Sequence, residues 1–168
     1  MTFENPTTTD QEEDDACLYQ QHIVYETTLP NTTPKQAFDA FAKTVWWGGG
    51  GFGAVGIIVA GDARTLEGSV RAVPLGIHEA AQRVNYPTSF GYTVVQKSVF
   101  PVSAHRGEVT FRSLEGEEGT THMIWSIHYT PFKCMNWFAG AMIAFLPYQL
   151  GTLKSVVEQE NLSKPKSE

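Results

Sequence analysis

The sequence predicts a single α+β domain in which a curved antiparallel sheet of seven strands wraps around a long C-terminal helix. Three observations carry this expectation. Strand-like segments follow one another on short turns from residue 56 to residue 129. One more alternating segment and a short helical one precede them, and from residue 135 the apolar spacing changes to that of a long helix. Consecutive hairpin-linked strands flanked by helices make an antiparallel α+β architecture.

In residues 18–29, Tyr19, Ile23, Tyr25 and Leu29 alternate with polar Gln20, His22, Glu26 and Thr28. That is the period of a half-buried strand. The run Pro30-Asn31-Thr32-Thr33-Pro34 then offers a hydroxyl to cap free N–H groups and a proline for the first helical position. Ala37, Phe38, Phe41 and Val45 recur at helical spacing, predicting a short amphipathic helix that ends at Trp46-Trp47 and glycines 48–51.

Residues 56–60 form a short apolar run stopped by Gly61-Asp62. Segments 68–73 and 77–84 flank Pro74-Leu75-Gly76, a three-residue hairpin loop with a glycine available for positive φ. Tyr86-Pro87-Thr88-Ser89 turns the chain into strand 90–99. Segment 107–113 leads through Glu115-Gly116-Glu117-Glu118-Gly119 into the last strand, 120–129, which Pro131 closes.

From 135 to 159 the apolar residues Phe138, Met142, Phe145, Leu146, Leu150, Leu153, Val156 and Val157 give one helix a broad greasy face. Pro147 is expected to kink it, since proline removes a hydrogen bond and crowds the preceding turn. Only the concave side of the sheet can cover that face. A twisted sheet wrapped on one helix leaves space between the two, so a pocket is expected there.

At 168 residues, with 42% apolar and 18% charged residues, the chain is an ordinary single globular domain. Its organisation reads as an acidic, disordered arm (1–16), one folded domain (17–160) and a flexible tail (161–168). The net charge of −6 belongs to the arm. Residues 1–15 hold Glu4, Asp10, Glu12, Glu13, Asp14 and Asp15 and no base, which leaves twelve acids against twelve bases elsewhere. A neutral body lacks the electrostatic footprint of a phosphate-backbone partner, which argues against nucleic acid.

Cys17 and Cys134 stand far apart in sequence without CxxC spacing, and read as free thiols in a reducing compartment. The polar, acidic opening has no secretory leader pattern. The most apolar stretch, 137–146, is too short to cross a bilayer, which needs ~20 residues. The expected location is the cytoplasm, with transient membrane contact left open.

Gly51-Phe52-Gly53-Ala54-Val55-Gly56 matches the letters GxGxxG, but a nucleotide site needs a strand before the glycines and a helix after them. Here a helix precedes and a strand follows. The expectation is a glycine-rich entrance loop, a lid beside Trp47.

Arg71 and Glu79 face each other if Val73 pairs with Ile77 across the hairpin. On the concave face they would orient a ligand carbonyl, phenol or carboxylate, with Glu79 as general acid or base and Tyr92 as the accompanying tyrosine. On the convex face they would be a surface salt bridge worth little. Alternation leaves both faces open, because Val70, Ala72 and Val84 favour the opposite one. Tyr25, Tyr92, Met123, Trp125 and Tyr129 share the expected inner face, with Phe138, Met142, Phe145 and Gln149 opposite them on the helix. Each suits a pocket wall or plain core packing. The histidines His22, His78, His105, His122 and His128 show no metal-site spacing, and no cofactor is implied.

The order of these features resembles the START-like helix-grip superfamily, and within it the polyketide cyclase/dehydrase and lipid-transport group (SRPBCC). The resemblance rests on Leu29-Pro30 and Pro34, then Gly68, Val70 and Arg71, then Glu79. It continues through Gly119-Thr120-Thr121, Met123 and Trp125 to Leu150, Leu153 and Lys154, covering residues 18–160. It implies a helix-grip fold and an apolar ligand held between sheet and C-terminal helix. Three functions remain. One is a carrier or binding protein for a lipid, polyketide, isoprenoid or aromatic metabolite. Another is a cofactor-independent cyclase, aromatase or dehydratase using the same cavity. The third is an interaction module contacting a protein through the arm or Trp46-Trp47.

Overall fold

The computed structural model describes residues 19–51, 53, 55–95, 100–117 and 119–163. β1 (Gln21–Leu29) leads into α1 (Pro34–Phe41) and a π-helical turn (Ala42–Trp47). Then come β2 (Gly56–Val59), β3 (Val70–Val73), β4 (Ile77–Ala81), β5 (Ser89–Val94), β6 (Val102–Ser113) and β7 (Thr121–Pro131). The chain continues through α2 (Asn136–Ile143) and α3 (Leu146–Ser163). The strands form one antiparallel sheet in the order β1-β7-β6-β5-β4-β3-β2, so the first strand pairs with the last.

Local chemistry sets these elements. Thr33 caps α1: its hydroxyl accepts the Gln36 N–H at 3.3 Å, while the Gln36 side chain accepts the Thr33 N–H at 2.9 Å. Each satisfies a group the helix end would otherwise strand. Along β6 and β7 the period of two is strict. His105, Gly107, Val109 and Phe111 are buried on one strand, and Thr121, Met123, Trp125, Ile127 and Tyr129 on the other. Their concave face receives α1. Phe38 and Phe41 meet Phe90, Phe111 and Trp125 with ring centroids 5.3–5.9 Å apart, edge-on or tilted. Such pairs add ~0.5–1.5 kcal/mol each beyond the area they bury. This half of the concave face is therefore solid.

The expected long helix is two helices. Pro147 has no N–H, and its ring would crowd the Ile143 carbonyl, so the first helix stops at Ile143. The next starts at Leu146 with Pro147 in its opening turn, where the missing donor costs nothing. The single apolar face is broken with it. Leu150, Leu153 and Val157 of α3 are buried, and α3 packs against α1 and β1, but Phe145 at the joint is 49% exposed. β6 begins at Val102, earlier than the expected residue 107, because the run Val102 to Arg106 pairs with β7 through a bulge. Residues 161–163 of the expected tail continue α3. The arm at 1–16, Cys17 and residues 96–99 of the expected fifth strand lie outside the described residues. Cys134 is a free, exposed thiol.

Candidate functional site

The unfilled half of the concave face holds a cavity of about 90 Å³. Its sheet wall is made by Arg71 and Val73 of β3, Ile77 and Glu79 of β4, Tyr92 and Val94 of β5, His105 of β6, and Trp125 and Ile127 of β7. Ile143, Phe145, Leu146 and Gln149 close it from the helix joint, with Gly49, Pro74 and Phe100 at its sides. The break at Pro147 shapes this site, since it points the α2–α3 corner at the sheet. A second hollow of about 300 Å³ lies between α1 and α3, but its walls include Gln36, Asp39 and the exposed Lys43–Glu160 ion pair. Ligand sites combine an apolar lining with a few convergent polar groups, which describes the first cavity and not the second.

The hairpin sets the charged pair. Leu75 (φ 68°) and Gly76 (φ 69°) turn the chain so that Val73 pairs with Ile77 and Arg71 with Glu79. Arg71 points inward and is 4% exposed. Its Nε donates to Glu79 Oε2 at 2.7 Å, and Nη2 reaches the same oxygen at 2.6 Å. Nη1 donates to the Val45 and Trp46 carbonyls at 2.5 and 2.6 Å, and the guanidinium lies 4.2 Å from the Trp46 ring centre. Those carbonyls end the π-helical turn, where backbone acceptors lack helical partners and carry partial negative charge. Arg71 thus ties the helical segment to the sheet. Glu79 engages it through one oxygen alone, so Oε1 has no hydrogen-bond partner among the described residues.

Across the cavity floor the Trp125 Nε1–H donates to the Tyr92 hydroxyl at 2.9 Å. The tyrosine is neutral: burial pushes its pKa far up, the nearby Glu79 charge pushes the same way, and the Trp125 hydrogen bond opposes both. His105 is the third polar group of this wall. Burial lowers its pKa to about 4 against the pull of Glu79, so the imidazole is neutral at pH 7. At the helix side, the Gln149 amide donates to the Gly49 carbonyl at 3.5 Å.

Among the residues singled out from sequence, Arg71, Glu79, Tyr92, Trp125, Phe145 and Gln149 line the cavity. Met123 is fully buried opposite Phe111, in the half of the face that α1 fills, and does not reach it. Tyr129 is buried one step beyond Ile127, and Tyr25 packs half-buried on the edge strand β1. Trp47 and Phe138 are half-buried outside the lining. Helix α2 carries Met142, whose side chain lies outside the described part. Two lining residues are absent from the sequence-derived pocket set: Phe100, which precedes β6, and His105, weighed only as a metal ligand because the strand was expected to start at residue 107. Extending the buried alternation of Gly107, Val109 and Phe111 back by one step reaches His105.

No family model matches the sequence, and no curated protein does. Solved structures do match. Norcoclaurine synthase from Thalictrum flavum, in complex with dopamine and hydroxybenzaldehyde, superimposes with a TM-score of 0.63 at 12% identity, covering 99% of this chain and 98% of that one. XoxI from Bacillus cereus gives 0.64 at 16% identity, over 84% and 99%. Ara h 8.0201 gives 0.61 at 10% identity, over 83% and 98%.

The chain has the helix-grip fold. Its seven-stranded antiparallel sheet and long C-terminal helix are the elements that match it. No helix among the described residues is long and apolar enough to cross a membrane.

Proposed function

We propose that the protein binds a small apolar molecule in the cavity between sheet and helix joint, as a binding or carrier protein. The observation that carries this is the lining: apolar Val73, Ile77, Val94 and Ile127 converge with the polar groups of buried Tyr92 and His105 and part-buried Glu79 around one hollow. Sites for small molecules have this composition. Of the lipid, polyketide, isoprenoid and aromatic classes, the volume of about 90 Å³, below the roughly 150 Å³ of a dry cavity that accommodates benzene, favours the smallest guest, an aromatic of one ring, and requires the walls to give even for that. A long chain or fused ring system exceeds that volume by much more than a single ring does. Norcoclaurine synthase, with the same fold, takes two single-ring compounds.

A second reading, a cofactor-independent cyclase or dehydratase, is favoured by Glu79, which uses only Oε2 on Arg71 and shares the cavity wall with Tyr92. A carboxylate held by an arginine and facing an apolar guest is positioned to move a proton. Glu79→Gln separates the readings, because an enzyme loses turnover of its substrate while retaining affinity for it.

Toluene titrated into the purified chain by calorimetry tests the binding reading. One equivalent is expected to bind, and Val94→Trp, which fills the void, is expected to abolish it. Native mass spectrometry of the same sample is expected to reveal a copurifying compound of low mass. Failure of toluene to bind, or binding untouched by Val94→Trp, overturns the site.

A further inference from the structure

Among the described residues, His105 carries the one buried side-chain polar atom without a hydrogen-bond partner. It is 8% exposed, with its ring centroid 5.5 Å from that of Tyr92 and 5.8 Å from that of Phe100. Its Nδ1 is buried without a hydrogen-bond partner. An unsatisfied buried polar atom costs about 1–3 kcal/mol, and native proteins leave few of them. A neutral imidazole carries one donor nitrogen and one acceptor nitrogen, so a guest with a hydroxyl can satisfy it in either tautomer.

The other groups narrow the guest's chemistry. The Arg71 donors go to Glu79 and to the Val45 and Trp46 carbonyls, and the Trp125 N–H goes to Tyr92. The charge of Arg71 is already paired with Glu79, and no other cation is among the described residues that line the cavity. The Glu79 carboxylate, with Oε1 open, repels an anion and accepts a hydrogen bond. An anion entering a space whose one lining cation is already paired becomes a buried charge without a counter-ion, at a large cost. A hydroxyl reverses each of these penalties: its proton goes to a carboxylate or imidazole acceptor, and its oxygen receives what those groups or Tyr92 can donate.

We propose that His105 and Glu79 together select a neutral, hydroxyl-bearing single ring, a phenol-class compound, and exclude the same ring bearing a carboxylate. This rests on the cavity being a binding site, and it names the chemistry of the guest.

Three probes of nearly equal size, phenol, toluene and benzoate, are titrated calorimetrically into the full chain at pH 7. Phenol is expected to bind roughly tenfold tighter than toluene, the worth of one to two net hydrogen bonds. Benzoate is expected not to bind at concentrations that saturate phenol. His105→Phe keeps an aromatic ring and removes both nitrogens, so the roughly tenfold preference for phenol over toluene should shrink to about threefold or less, read as the ratio of the two affinities in the same variant. Glu79→Gln should admit benzoate. In the wild-type chain, the ¹⁵N resonances of the His105 ring are expected to shift with phenol and not with toluene, which tests the contact even if His105→Phe fails to fold.

Equal affinity for phenol and toluene overturns the selection and leaves the binding site standing. So does a phenol preference that survives His105→Phe, or benzoate binding to the wild type. If none of the three binds, both the selection and the site are overturned.

Discussion

Tyr92 lies with its ring directly over Gly107, its partner on the neighbouring strand. A methyl group on residue 107 would overlap the ring atoms Cε1 and Cζ and the hydroxyl. The backbone there is ordinary strand, so glycine is required for space, not for conformation. Gly107→Ala should cost about 1–3 kcal/mol, as overpacking does. Tyr92→Leu in the same chain removes the obstacle. The double variant should then be more stable than the sum of the single losses, a coupling readable from urea denaturation. Strictly additive losses would mean that the ring does not occupy that place.

Arg71 makes the most consequential polar contacts of the fold. Replacing it with Met strips the partner from Glu79 and leaves two buried carbonyls without their donor. Breaking a buried pair on one side costs about 3–5 kcal/mol. Removing both charges, as Arg71→Met with Glu79→Leu, should recover part of that loss, because no lone charge remains. The carbonyls of Val45 and Trp46 stay unsatisfied, so recovery should be incomplete. Chemical denaturation of the three variants gives the comparison, and a double variant as unstable as Arg71→Met would show that the lone carboxylate is not the cause.

How far the sequence carried this picture depends on the range of each signal. The pairing of Arg71 with Glu79 was legible, because Pro74-Leu75-Gly76 fixes a short loop and a short loop fixes register. Its face was not. Val70, Ala72 and Val73 are all half-buried, so alternation on β3 is weak, and what turns Arg71 inward is a pair of carbonyls some 25 residues away. The cap at Thr33 and the apolar spacing of α1 are local and came through intact. Pro147 was read as a kink within one helix. Whether a proline bends a helix or splits it depends on packing beyond its own turn. Met123 and Tyr129 share inward parity with Trp125, and parity cannot say which part of a concave face another helix fills.

The capping box gives a smaller and cleaner test. Thr33→Ala removes the acceptor for the Gln36 N–H at the start of α1. The expected loss is about 1 kcal/mol, with the affinity for toluene unchanged, since α1 packs on the half of the sheet away from the cavity. A thermal melt and one titration suffice. A change in affinity larger than twofold would tie the cap to the site.

His105 gives the chain a pH dependence whose direction follows from burial. In the folded state its pKa falls from the ordinary 6.5 to about 4, so between those values the unfolded chain binds a proton that the folded chain does not. Stability must then fall as the pH drops. The penalty is absent above pH 6.5, builds through the interval, and is complete below about pH 4. The full shift corresponds to a loss on the order of 3 kcal/mol. Carboxylates as a class also take up protons toward the acid end, so the wild-type curve alone does not isolate the histidine. The difference between wild type and His105→Phe does. Denaturation midpoints measured from pH 7.5 to pH 4.5 should show the wild type losing stability faster than the variant once the pH passes below 6.5. Parallel curves would mean that the imidazole takes up its proton in the folded protein, which is incompatible with a neutral ring enclosed in the apolar wall.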